Sequence, residues 1–261
     1  MKILFALTAS ALVVSACNNN KPKETAENRS NPFFEESSLA YQTPDFTKIK
    51  DGDFEPALLE GMKQQLAEID SIASNPQAPT FENTLVALEK SGRLLERANN
   101  VFNLLTGANT NPTLQKVQEE IAPKMAAHRD ALFLNGKLFE RVKAIYQSDE
   151  VKKMDAESQK LAKYYYDEFI LSGARLSEAD KARLKKFNEE EASLAARFTN
   201  KLLAAAKNAP LVVDNENALA GMSEAELNAA KKNADDAGKA GKYLITLQNT
   251  TQQPELKSLQ N

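Results

Sequence analysis

The sequence has very few of the residues that carry out chemistry in proteins. Its 261 residues include one histidine, His128, one cysteine, Cys17, and no tryptophan. A catalytic zinc ion usually takes three protein ligands, most often histidines, and no second histidine follows His128 one helical turn later. A site built from His128 and carboxylates stays open, but an imidazole on a helix surface, or partly packed, is the simpler interpretation. We therefore predict no catalytic residue and no metal ligand in this chain.

Further absences exclude other classes of protein. A Ser–His–Asp triad would have to use His128, and the sequence contains no G-x-S-x-G motif. A single cysteine cannot form an internal disulfide, so the stability of the fold must come from packing. The formal net charge of −3 leaves no basic patch of the kind that nucleic acids require. No nucleic-acid partner is predicted.

The first 17 residues have the pattern of a bacterial lipoprotein signal. Lys2 supplies a positive charge, and an apolar run over residues 3–14 follows it, interrupted only by Thr8 and Ser10. A bilayer requires about 20 apolar residues, so this run is too short to span one. Its end, VSAC, resembles the motif in which small residues precede a cysteine that becomes lipid-modified. We predict lipidation at Cys17, and an ordinary secretory signal cut near Ala16 is the alternative.

Lipid on Cys17 would hold the chain on a membrane, because two or more acyl chains give stable anchoring. Residues 18–30 contain one apolar side chain, Ala26, and this composition predicts a flexible tether with a reach of about 20 Å. Asn18 is not the aspartate that keeps some Gram-negative lipoproteins at the inner membrane. The predicted location is the bacterial cell envelope, facing the periplasm, with the outer membrane favoured over the inner one.

The remaining sequence predicts a mainly α-helical fold. Apolar residues recur every three or four positions, and glycine occurs only nine times. The first three predicted helices begin near Asp53, Thr80 and Asn111 and end at Asn75, Gly107 and the pair Asn135–Gly136. Pro123 should kink the third helix, because its ring clashes with the carbonyl group four residues earlier. Shorter helices are predicted around residues 138–145 and over residues 155–173.

The longest predicted helix covers residues 177–208, about 45 Å at 1.5 Å per residue. Ser177 resembles the N-cap of a capping box, with Asp180 where Glu or Gln is usual. Its apolar side chains form one stripe: Leu184, Phe187, Leu194, Phe198, Leu202 and Ala205.

The tail changes character and predicts a short β element near residues 211–248. Residues 210–213 and 243–247 are β-branched and read as strands. A helix capped by Ser223 and ended by Gly238 and Gly241 lies between them. Residues 255–259 look helical, and the sequence stops in mid-pattern at Asn261. This ending leads us to expect a truncated protein.

Residues 79–139 carry the most informative pattern, PTFENTLVALEKSGRLLERANNVFNLLTGANTNPTLQKVQEEIAPKMAAHRDALFLNGKLF. They resemble the N-terminal region of the peptidyl-dipeptidase (dipeptidyl carboxypeptidase) branch of the thimet oligopeptidase and neurolysin-like zinc metallopeptidases. Shorter matches in the same order extend the resemblance over residues 31–261. They lie at residues 44–50, 54–57, 105–111, 176–180 and 247–254.

The resemblance implies the N-terminal helical lobe of a two-lobed molecule with a deep channel between its lobes. It also implies an enzyme that uses zinc, held by a His-Glu-x-x-His helix, to remove C-terminal dipeptides from short unstructured peptides. That motif is absent from these 261 residues. Zinc would therefore belong to the full-length family member, and this chain alone should be inactive. The long helix would pack partly against later sequence.

Two functions follow from these observations. The first is the N-terminal part of a lipid-anchored zinc peptidyl-dipeptidase, truncated before its catalytic part. The second is a non-enzymatic, helical, membrane-anchored lipoprotein that binds peptides or a partner. The abrupt end after residues 248–254 favours the first. The predicted organisation is a lipoprotein signal at residues 1–17, a tether at 18–30 and the helical peptidase region at 31–261.

Overall fold

The computed structural model describes residues 30–246 and 257–260, and this part of the chain is mainly α-helical, as predicted. The predicted signal, Cys17 and nearly all of the tether lie outside the described residues, as do residues 247–256. No described helix is both long enough and apolar enough to cross a bilayer.

The first core joins α1 (Phe54–Ala73) to α3 (Arg93–Ala108) and to the start of α4 (Pro112–Phe133). Helix α1 begins where the sequence predicted, after a 3-10 turn at Asp51–Asp53. The rings of Phe33, Phe54 and Phe102 stack successively at 5.2 and 5.3 Å between centroids. Arg97 donates two hydrogen bonds to the carbonyl oxygen of Phe33, at 3.2 and 2.8 Å, and so ties the N-terminal segment to α3.

The helix predicted between Thr80 and Gly107 is interrupted, so that prediction is wrong in its middle. Thr80 caps it as expected, because its Oγ1 accepts the backbone N–H of Asn83 at 3.1 Å. A π-helical segment, Phe81–Val86, then leads into the short helix α2 (Ala87–Lys90). Gly92 adopts a left-handed φ of 73° before α3 begins, and its N–H donates to Glu68 Oε2 at 2.7 Å. A conformation that glycine adopts readily thus separates the two helices.

Helix α4 begins as predicted, with Asn111 Oδ1 accepting the N–H groups of Thr113 and Leu114 at 2.9 and 3.1 Å. It continues through Pro123 without a break. The predicted stop at Asn135–Gly136 is wrong. Asn135 is instead the N-cap of α5 (Gly136–Tyr146), because its Oδ1 accepts the N–H of Leu138 at 3.1 Å. Asparagine is favourable at both ends of helices, and here the side-chain bond decides between them.

A second core joins the end of α1 to α5 and to α6 (Ala156–Leu171). Asp155 caps α6 as predicted, accepting the N–H of Ser158 at 2.9 Å. Gly173, with a φ of 96°, follows its end. The residues packed in this core include Ile69, Leu85, Leu138, Val142, Ile145 and Phe169.

The long helix α7 (Glu178–Asn208) has the predicted bounds and packs along α4. Ser177 is its N-cap, since its hydroxyl oxygen accepts the N–H of Asp180 at 3.1 Å. The expected return bond to the Ser177 N–H is replaced by one in which the Ser177 hydroxyl donates to the Asp180 carboxylate at 2.8 Å. Aspartate is one methylene shorter than the usual glutamate, and the capping box is therefore incomplete.

The predicted β element is a two-stranded antiparallel sheet. Strand β1 (Leu211–Val213) pairs with β2 (Tyr243–Ile245), with Val212 opposite Leu244. Helix α8 (Glu224–Asp236) lies between them in sequence and begins with a complete capping box of Ser223 and Glu226. A small third core closes this region around Leu219, Met222, Ala230 and Ile245. Of the helix predicted at residues 255–259, the described residues Lys257 and Ser258 are helical.

Candidate functional site

His128, the one histidine of the chain, lies on α4 and is only 8% exposed. It falls in the apolar series Ile121, Met125 and Leu132, at spacings of three and four residues, which turns it towards the core. The sequence analysis left this ring on a helix surface or partly packed. The structure buries it.

Burial also sets the protonation state of His128. Desolvation lowers the pKa of its imidazole below the ordinary value, because a buried ring resists a positive charge. Its Nε2 is buried and has no hydrogen-bond partner. Asp130, two residues later, is buried as well, and its Oδ1 accepts a bond from Asn188 of α7 at 2.8 Å. The imidazole is thus neutral near pH 7.

The described residues do not fit a catalytic zinc ion. Within residues 30–246 and 257–260, no three His, Cys, Asp or Glu side chains are grouped so that they could hold a metal. Cys17, the predicted lipidation site, lies outside these residues. A zinc centre for this protein would need ligands that the described part does not supply.

A second buried charge, Arg141 on α5, has a structural position. Its guanidinium is bonded to the carbonyl oxygens of Asn75 and Gln77 at 2.9 and 3.0 Å and to Asn83 Oδ1 at 2.9 Å. A fourth bond, at 3.2 Å, reaches Thr84 Oγ1. Burial lowers the pKa of this guanidinium from its ordinary value. The four acceptors all belong to the turn and π-helical segment between α1 and α2, so Arg141 fixes that connection.

The sequence analysis singled out neither buried residue, although a signal was present. Arg141 falls between Leu138 and Ile145 at spacings of three and four, on the apolar face of α5. His128 falls in the same way on α4. A polar residue within an apolar stripe indicates a buried hydrogen-bonding group, because unpaired burial is costly.

The outer face of α7 is the largest apolar feature left open to solvent in the described residues. Phe187, Leu194, Phe198 and Leu202 are 59%, 52%, 67% and 59% exposed. We call these four residues the α7 ridge. The opposite face packs on α4 through small and polar side chains: Ala196 is buried, and Asn200 donates to Glu119 Oε1 at 2.9 Å. A row of exposed rings and leucines is typical of a surface that another polypeptide covers.

The chain matches no family model. It is, however, 45% identical over 231 residues to dipeptidyl carboxypeptidase of Escherichia coli, and 43% identical over 231 residues to the enzyme of the same name from Salmonella typhimurium. These alignments cover 88% of this chain and 34% of each relative. The chain belongs to this family of peptidases. Oligopeptidase A of Haemophilus influenzae is a more distant relative, 25% identical over 232 residues, 89% of this chain and 33% of its own length.

The chain spans about a third of the length of these relatives. Its resemblance to the family, expected from residues 79–139, is confirmed by the two dipeptidyl carboxypeptidases. The match to peptidases that are about three times as long also gives a reason for an exposed α7 ridge. A surface that faces solvent in this piece can be internal in a longer family member.

Proposed function

We propose that this chain is the helical N-terminal part of a zinc peptidyl-dipeptidase that removes dipeptides from the C-terminus of short unstructured peptides. The observation that carries the proposal is the 45% identity to dipeptidyl carboxypeptidase over 88% of the chain. Because the described residues do not fit a zinc ion, the metal ligands and the catalytic base would come from the remainder of the polypeptide. The part described would then be a scaffold.

In this proposal the α7 ridge is covered by the remaining two thirds of the enzyme. Burying a phenylalanine or leucine side chain stabilises a protein by about 1.5–3 kcal/mol, so four such residues could contribute strongly to that interface. The bonds from Asn188 to Asp130 and from Asn200 to Glu119 hold α7 in place on α4. Helix α7 would thus present its ridge as a fixed surface.

A chimeric enzyme tests this proposal. We expect the chain alone to bind no zinc stoichiometrically and to hydrolyse no peptide. Joining it to the portion of the Escherichia coli relative that it does not match should yield a zinc-dependent enzyme that releases C-terminal dipeptides. Elemental analysis and mass spectrometry of the products measure both expectations.

Paired leucine variants separate the ridge from a general effect on solubility. Leu194→Lys should lower the yield of active chimera by tenfold or more, because a lysine at a covered interface loses its hydration. Leu171→Lys changes a leucine that is 81% exposed and lies outside the ridge, and it should leave the yield unchanged. A folded chimera without peptidase activity, or stoichiometric zinc on the chain alone, would contradict the proposal.

We also propose that the protein is anchored to the bacterial cell envelope through lipid on Cys17, facing the periplasm and with the outer membrane favoured. The support is the sequence of residues 1–17, which lie outside the described part. Cys17→Ser should abolish incorporation of a palmitate analogue and release the protein from the membrane fraction, since it removes the attachment atom. Labelling that persists in the serine variant would overturn this assignment.

A further inference from the structure

A cavity of about 610 Å³ opens between α4, α6 and the break that separates α2 from α3. This volume lies within the range of about 300–1,000 Å³ that is typical of small-molecule sites. Its wall is largely apolar and aromatic, with Leu88, Leu95, Met125, Phe133 and Tyr164 among its residues. Such a wall favours a ring or another apolar group.

The charged groups at this wall already have partners. Arg129 donates to Glu168 Oε2 at 2.9 Å and lies 4.7 Å above the ring of Phe133. The hydroxyl of Tyr165 donates to Glu89 Oε1 at 2.6 Å. A charged ligand would lose its hydration in this cavity and would gain no free counter-ion from these pairs. The cavity therefore favours an uncharged ligand.

His128 also lines the cavity, and it is the polar group there that lacks a partner. Its side chain is more than nine-tenths buried, and its Nε2 makes no hydrogen bond to any other group of the protein. A buried polar atom without a partner is destabilising, and native proteins contain few of them. A ligand that carries one hydrogen-bonding group would satisfy it.

We propose that this cavity binds an uncharged aromatic ring bearing one hydroxyl group, a phenol, with the hydroxyl paired to Nε2 of His128. A hydroxyl both donates and accepts, so it suits either tautomer of a neutral imidazole. Phe133 and Tyr164 supply edges and faces for ring stacking, and the sulfur of Met125 makes favourable contacts with aromatic rings. The phenol comes either from a free small molecule or from a tyrosine side chain of a peptide.

The single histidine makes the site directly observable, because the imidazole C–H signals in an NMR spectrum of the full chain belong to His128 alone. Titration with p-cresol should shift these signals saturably. Toluene, which lacks the hydroxyl, should bind about tenfold more weakly, as expected for the loss of one hydrogen bond at a buried partner. The charged 4-hydroxybenzoate should also bind more weakly than p-cresol.

Variants test the role of the imidazole nitrogen. In His128→Phe the preference for p-cresol over toluene, measured by ligand-detected NMR, should fall to less than twofold, whereas His128→Gln should keep part of it. The glutamine variant also keeps the test open if the phenylalanine variant does not fold. Phe198→Ala, on the α7 ridge, should leave both affinities unchanged.

The outcomes distinguish the two sources of the phenol. Tighter binding of N-acetyl-tyrosinamide than of p-cresol would indicate a tyrosine side chain in a peptide, and the reverse order would indicate a free small molecule. The absence of a saturable shift with p-cresol, or equal affinities for p-cresol and toluene in the unaltered chain, would overturn the proposal.

Discussion

Replacing Arg141 with alanine is expected to lower the free energy of unfolding by about 3–5 kcal/mol. The side chain is 7% exposed, and its guanidinium bonds four acceptors on the segment between α1 and α2. Truncation removes all four bonds and leaves carbonyl and side-chain oxygens unpaired in a place where water enters poorly. Urea unfolding followed by circular dichroism at 222 nm measures the loss.

The effect should depend on the shape of the guanidinium as well as on its charge. Arg141→Lys keeps the charge but cannot reproduce the planar fork, so it should recover only a part of the lost stability. Arg97→Ala is the matched control, because Arg97 is half-buried and bonds a single acceptor, the carbonyl oxygen of Phe33. It should cost about 1 kcal/mol. Equal losses for the two alanine variants would show that the Arg141 network does not fix the connection.

Much of the helical fold could be predicted because its signals are local. Thr80, Asn111, Asp155, Ser177 and Ser223 were all recognised as helix caps, and each accepts the backbone bond expected of a cap. A cap needs only the residues of one turn, which are adjacent in sequence. The mainly α class and the short β element followed from equally local patterns.

The errors arose where a local signal has two meanings. Asn135 suits the end of one helix and the start of the next, and the bond to Leu138 places it at the start of α5. Gly92 lies in a periodic stretch, and periodicity alone does not reveal that its φ becomes positive. The contact of its N–H with Glu68 belongs to a different helix, so the break depends on tertiary structure.

The candidate site was less accessible to prediction than the fold. That α7 carries an apolar stripe could be predicted, but the face on which the helix packs could not be, because small and polar residues make its contacts with α4. The cavity beside His128 is built from residues of five helices, and no sequence spacing indicates that they meet. The catalytic chemistry proposed for the whole enzyme rests on family membership.

The second large effect is expected at Gly61, where α1 and α3 approach closely. A Cβ atom at position 61 would lie 2.7 Å from both the Cα and the backbone N of Leu95. Backbone atoms cannot rotate away, so Gly61→Ala forces the two helices apart and disturbs the first core. We expect the free energy of unfolding to fall by about 1–3 kcal/mol, as for other overpacked interiors.

Gly107→Ala is the matched control for this substitution. Gly107 lies in α3, has no positive φ, and nothing lies within 4 Å of the position that its Cβ would occupy. Alanine should therefore stabilise the chain by about 0.4–1 kcal/mol through the reduced entropy of the unfolded state. Gly61→Ala has the same advantage in helix propensity, so its net loss would measure the steric cost alone. Two variants of equal and increased stability would show that α1 and α3 can separate freely, and that the first core does not require their close contact.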